Sequence, residues 1–193
     1  MKSNITTGQG DTGKTTALDG STVDKSHPIM NAVGALDALR AQTALLRLQL
    51  QEKYPEELSE ANFLLFLLHT FFLIGTAISD PHGRTPKGRH SEITQEHLDH
   101  LESEQERLES GLQLPHAFIV SATNIVSAQA DITASAARTF ERNLVAMCQT
   151  MPDFNKPVYL AFANRLSDYF FVLARHVEKG HHHPVNYDSF KKL

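Results

Sequence analysis

Residues Gly8 to Thr15, Gly-Gln-Gly-Asp-Thr-Gly-Lys-Thr, satisfy G-x-x-x-x-G-K-[ST], a spacing that lets backbone N–H groups, an ammonium and a hydroxyl cradle a polyphosphate. Gly8, Gly10 and Gly13 permit close backbone approach, while Thr7, Thr12 and Thr15 add hydroxyls. Lys14 supplies one cation and Lys25 a second, and Asp11 can hold Mg²⁺ directly or through water. The surroundings are not those of a P-loop fold. Met1–Thr7 is too short and too polar for a central strand, and Asp19-Gly20 would break a helix begun at Lys14-Thr15. No parallel sheet is visible downstream. The segment therefore predicts either a loop that wraps a polyphosphate or a disordered Gly/Thr-rich tail.

Other residues with chemical potential fall on helical faces. Asp131, Arg138 and Arg142 are spaced 7 and 4 apart, and Asn164, Asp168 and Arg175 are spaced 4 and 7. Asp37 sits between Leu36 and Leu39, beside an apolar stripe. Charges next to a core seam are costly unless paired. Two readings stay open: interhelix salt bridges, or an anion-receiving pocket between the first, fourth and fifth helices. His181, His182 and His183 can bind transition metals, but on the trailing end of a bundle they read as a mobile tail. Cys148, the single cysteine, excludes an internal disulfide and a multi-cysteine zinc site, which fits a reducing compartment.

Five long segments must position these groups. The first, about Pro28 to Glu52, carries Ile29, Val33, Leu36, Leu39, Leu46 and Leu50 on one stripe, with Pro28 suited to the opening turn. The second, about Glu56 to Ser79, is a Leu/Phe-rich run expected to be buried on almost every side. The third, about Glu92 to Leu112, is highly charged with a thin seam of Leu98, Leu101, Leu108 and Leu112, and belongs on the outside. The fourth, about Asn124 to Thr150, is rich in Ala and Ser and invites close helix approach. In the fifth, about Phe154 to Lys179, Tyr159, Ala163, Leu166, Phe170, Leu173 and Val177 form a heptad-like seam. No stretch alternates with period two. These patterns predict an all-α, antiparallel five-helix bundle over 27–179, with an N-terminal loop over 1–26 and a tail over 180–193.

Composition narrows the partners. A chain of 193 residues with 41% apolar side chains can build one good core. Its formal charge of −4 lacks the basic excess of a general nucleic-acid binder. Residues 62–78 are the one membrane candidate, but they fall short of the roughly 20 apolar residues a span needs, with His69 and Thr70 mid-run. The reading is a soluble protein with no apolar signal stretch at Met1-Lys2-Ser3-Asn4.

Several blocks carry a family resemblance. Asn164-Arg-Leu-Ser-Asp-Tyr-Phe-Phe-Val-Leu-Ala-Arg175 closely resembles the last-helix signature of PduO-type ATP:cob(I)alamin adenosyltransferases. Ala137-Arg138-Thr139 with Arg142 resembles the family's A-R-T-x-x-R, and Gly34-Ala35-Leu36-Asp37-Ala38-Leu39 its G-T-x-D-E-L. Gly10-Asp11-Thr12-Gly13-Lys14-Thr15 followed by Val23-Asp24-Lys25 is similar to its nucleotide loop, and Phe72 to Ser79 echoes its L-G-A-D-L-A-T helix. The resemblance implies a trimer that binds ATP and the corrinoid cobalamin between subunits. Co(I) would attack the 5′ carbon of ATP and expel tripolyphosphate, with Mg²⁺ assisting, in the cytoplasm. It assigns Arg138, Arg142 and Asp37 to catalysis, with Asp37 holding Arg138. Thr7, Gly10, Asp11, Gly13, Thr15, Lys25, Arg142 and Asn164 go to ATP, and Phe118 to the lower face of the corrin. Val145 and Ala146 stand where the family has Glu and Arg, and Gly8 where it has Lys or Arg. A non-catalytic ATP- or corrinoid-binding relative is the alternative that these departures leave open.

Overall fold

The structure, a computed structural model, describes residues 8, 10–84, 92–154 and 156–192. Five helices dominate it: α1 (Pro28–Lys53), α2 (Leu58–Ser79), α3 (Gln95–Glu109), α4 (Ile125–Thr150) and α5 (Pro157–Val177). Helix α4 packs between α1 and α5, α2 lies against α1, and α3 lies against α5. The antiparallel bundle expected from apolar periodicity is the observed architecture.

Local chemistry sets the helix starts. Pro28 opens α1, and the His27 Nδ1 accepts the Ile29 N–H at 3.2 Å. Asn124 caps α4 through Oδ1, which accepts the N–H groups of Val126 and Ser127 at 3.0 and 2.9 Å. The heptad-like seam of α5 is buried along its whole length, from Tyr159 to Val177. Opposite it, Ala130, Ala134 and Ala137 of α4 give the close approach that small side chains allow. The thin seam of α3 (Leu98, Leu101 and Leu108) is buried, while its charged side faces out.

Three expectations need correction. First, strands are present. β1 (Lys14–Thr16) pairs antiparallel with β2 (Thr22–Asp24), and β3 (Ile119–Val120) pairs antiparallel with β4 (His183–Pro184). Runs of two or three residues are too short for alternation to register in a sequence. Second, α2 is not covered on nearly every side. Phe63, Leu64, Leu67, Phe71, Ile74 and Ile78 face the core, but Leu58, Leu65 and Phe72 are exposed, Phe72 by 59%. By length and composition alone α2 could cross a membrane; its buried face is that of a core helix. Third, the residues after α5 are not a loose tail. They form β4 and a 3₁₀ turn at Tyr187–Lys192, and His182 before β4 contacts the Glu178 carboxylate at 2.8 Å.

Candidate functional site

The glycine-rich segment folds as a turn feeding a hairpin. Gly8 and Gly13 adopt φ of 72° and 79°, the left-handed region where a side chain would be strained. The Gly13 N–H bonds to the Gly10 carbonyl at 3.2 Å, and the Lys25 N–H to the Gly13 carbonyl at 2.9 Å. Lys25 then folds its ammonium over Gly10, so that a Cβ there would stand only 2.7 Å from Nζ. In the hairpin Lys14 lies across from Asp24 and Thr15 from Val23. A strand, not a helix, begins at Lys14, which removes the P-loop architecture but keeps its cationic, glycine-lined turn. Asp11 is exposed and forms no ion pair among the described residues. Thr7 lies outside the described residues.

The far end of the hairpin is pinned. Asp19 Oδ1 accepts the Ser21 N–H at 2.9 Å and the Ser21 hydroxyl at 2.5 Å. These bonds hold the Asp19 carboxyl below its ordinary range, and Arg84 beyond α2 adds an ion pair at 3.3 Å. Between hairpin, α1 and α2 runs a groove of about 530 Å³, lined in part by Thr16, Leu18, Val33, Asp37, Arg40 and Phe72. Asp37 pairs there with Arg40 at 2.9 Å, and the Arg40 guanidinium sits 4.6 Å from the Phe72 ring centroid.

The polar triplets of α4 and α5 separate into two populations. Arg175, 1% exposed, donates to Asp131 Oδ2 at 2.8 Å and lies 3.2 Å from Glu178 Oε2, an interhelix ion pair in the structural sense. Arg138, Arg142 and Asn164 point outward instead. Arg142 donates to the Thr139 hydroxyl at 3.1 Å, and Arg138 has no ion-pair partner among the described residues. Asn164 Nδ2 donates to Glu141 at 3.0 Å, while its Oδ1 accepts from Arg165 at 3.1 Å. Among the described residues Asp37 pairs with Arg40 and not with Arg138, and the groove that Asp37 lines contains none of Arg138, Arg142 and Asn164. Arg138, Arg142 and Asn164 lie instead on an exposed face of the chain.

Glu141 was not singled out by the sequence. Its signal was available: it lies one helical turn before Val145 and shares that helix face. Phe118 stands 78% exposed beside β3, its carbonyl accepting the Val185 N–H at 2.7 Å. Two other features carry no such chemistry. Burial pushes the Cys148 thiol up, away from a reactive thiolate. Glu57, Glu60 and His176 place ligand atoms within 4.8 Å of one another, but Arg107 at 2.6 Å from Glu60 and Lys179 at 3.7 Å from Glu57 already supply cations.

The geometry thus offers a cationic glycine turn, an outward arginine face and an exposed aromatic on a ribbon. The chain is 32% identical over 173 residues to the cobalamin adenosyltransferase of Cupriavidus metallidurans, covering 90% of this chain and 87% of that protein. It is 29% identical over 171 residues to the corrinoid adenosyltransferase PduO of Salmonella typhimurium, covering 89% of this chain and 48% of that protein. The chain spans about half the length of that relative. A variant PduO-type ATP:corrinoid adenosyltransferase from Lactobacillus reuteri, solved with cobalamin and ATP, shares the fold with a TM-score of 0.80 at 23% identity, over 95% of this chain and 99% of that one. The model of cobalamin adenosyltransferases matches residues 5–177, hairpin through last helix, and with that span the chain belongs to the cobalamin adenosyltransferase family.

Proposed function

We propose that the protein transfers the 5′-deoxyadenosyl group of ATP to the cobalt of a reduced corrinoid such as cob(I)alamin. The Co(I) electron pair forms the Co–C5′ bond, the C5′–O bond breaks, and its electrons leave with tripolyphosphate. The observation that carries this reading is the outward set of Arg138, Arg142 and Asn164, cations and an amide without a buried countercharge. Arg142 and Lys25 would neutralise the departing triphosphate, the charge that grows most in the transition state. The turn at Gly10 and Gly13, with the Thr15 hydroxyl, would follow the phosphates, and Asn164 would orient the nucleoside.

Mg²⁺ fits this arrangement through Asp11, an exposed carboxylate at the turn without an ion pair of its own among the described residues. Bound there with the nucleotide, it would share in neutralising the triphosphate. Phe118 would cover the lower corrin face and exclude the axial ligand, which makes Co(II) easier to reduce. Arg138 would be held by Asp37 of the partner subunit, which supports a homotrimer with the site between chains. A reaction of strongly reduced cobalt fits a cytoplasmic setting.

A second reading is a binding relative without turnover, favoured by the exposed Val145 and Ala146 on the nucleotide face. Anaerobic incubation with ATP, Mg²⁺ and chemically reduced cobalamin separates the two. Appearance of the adenosylcobalamin spectrum is expected. Binding of both ligands without that spectrum would overturn the catalytic reading and leave the binding one.

A further inference from the structure

Glu178 is the C-cap residue of α5, and its carboxylate is fully removed from solvent. A buried carboxylate is costly unless its oxygens are satisfied. Here three groups satisfy it. Oε1 accepts the Thr123 N–H at 3.1 Å, in the link between β3 and α4. Oε2 accepts His182 Nδ1–H at 2.8 Å, in the link between α5 and β4, and lies 3.2 Å from Arg175 Nε.

One side chain thus grips both approaches to the β3–β4 ribbon. The His182 side chain is only 4% exposed, and its Nε2 is buried without a hydrogen-bond partner. Among the described residues, all polar anchoring of that ring therefore passes through Glu178. A second tie lies beside it: Asn124 Nδ2 donates to the Val177 carbonyl at 3.2 Å. Arg175 is itself fixed by Asp131 at 2.8 Å, so the node is braced against α4. The ribbon so held consists of two residue pairs, Ile119 with Pro184 and Val120 with His183. Two-residue strands do not persist on their own pairing. An outside anchor is required.

From this geometry we infer that Glu178 and His182 are positioning residues for the corrin side of the site. They fix the β3–β4 ribbon, and with it the backbone of Phe118, whose carbonyl bonds to Val185 in the same segment. The inference rests on the reading that Phe118 covers the corrin. The residues after α5 are then part of the corrin-facing surface.

The test compares His182→Ala with His182→Asn, because an asparagine Nδ2 can donate from nearly the place of the histidine Nδ1. Three readouts are needed: amide hydrogen exchange across 118–123 and 183–185, KM for cobalamin, and KM for ATP. In His182→Ala, exchange at the Thr123 and Val185 amides should accelerate by about tenfold or more, as loss of one charge-assisted bond implies. KM for cobalamin should rise by about the same factor while KM for ATP stays put, and His182→Asn should restore both values. Unchanged exchange in His182→Ala overturns the anchor, whatever Phe118 does. Faster exchange with an unchanged KM for cobalamin overturns the positioning role. Phe118→Ala, measured in parallel, distinguishes failure of the underlying reading: if it leaves KM and turnover for cobalamin intact, Phe118 is not the corrin contact and the inference falls with it.

Discussion

Arg142 extends from an exposed turn of α4 and donates to the Thr139 hydroxyl at 3.1 Å. Arg175 carries the same charge into the core, between Asp131 and Glu178. Substitution should separate the two. Arg142→Ala should weaken ATP binding or turnover about ten- to a hundredfold, the worth of a charge-assisted contact, with the melting temperature unchanged. Arg175→Met should lower unfolding free energy by about 3–5 kcal/mol, because it leaves two carboxylates around an absent cation. Calorimetry and ATP titration on both variants check the division. An Arg142 variant that melts early and binds ATP normally would make that arginine structural. Spacing alone put both arginines on polar faces of their helices. It could not tell which was buried, because both arrangements keep the same 4 and 7 periodicity; only the packing of α4 on α5 decides.

Helix α3 is attached to the bundle partly through a polar joint. Burial would raise the Glu60 carboxyl of α2, but hydrogen bonds from Arg107, its backbone and Ser59 outweigh burial and lower it below the ordinary 4.5. The folded state therefore binds this proton less readily than the unfolded chain. The joint's stabilisation is fully present above pH 4.5 and fades as pH falls through the lower folded value. Glu60→Gln should melt below the parent at pH 7, and the gap should narrow toward pH 3. A gap of constant size across that range would mean that the charge of Glu60 is irrelevant to the joint. This element was half legible. The leucine seam of α3 could be read from its spacing, whereas the Glu60–Arg107 contact joins residues 47 positions apart, which no local pattern records. The ribbons escaped for a different reason. Lys14–Thr16 is too short to show alternation and gains its strand form from the neighbouring hairpin arm, whereas Ile119–Val120 gains it from a partner more than sixty residues on.

For the molecule as a whole, the separation of Asp37 from Arg138 matters most. Asp37 is satisfied by Arg40 inside the chain, and Arg138 is left on an open face. Exposed Leu48 on α1 and Ile132 on α4 add apolar area beyond the core. The expected solution species is a homotrimer, in which these surfaces close on one another. Light scattering at micromolar concentration with ATP present should give three times the chain mass. A monomer under those conditions would remove the shared site. Assembly was not legible in spacing, because the periodicity that builds a core says nothing about which outward residues meet a neighbour. The trimer rests on the family resemblance alone, and the light-scattering mass decides it.

The β3–β4 ribbon also imposes an order on synthesis. Val120 waits for His183, and between them lie the whole of α4 and α5. Helices α1 and α2 can dock as soon as both have left the ribosome, since their contacts are local in the chain. The surface beside Phe118 cannot close until Glu178, His182 and β4 have followed. A nascent chain arrested after α5 would thus hold a helical core with an unfinished surface beside Phe118, which would close only once His182 and β4 had emerged.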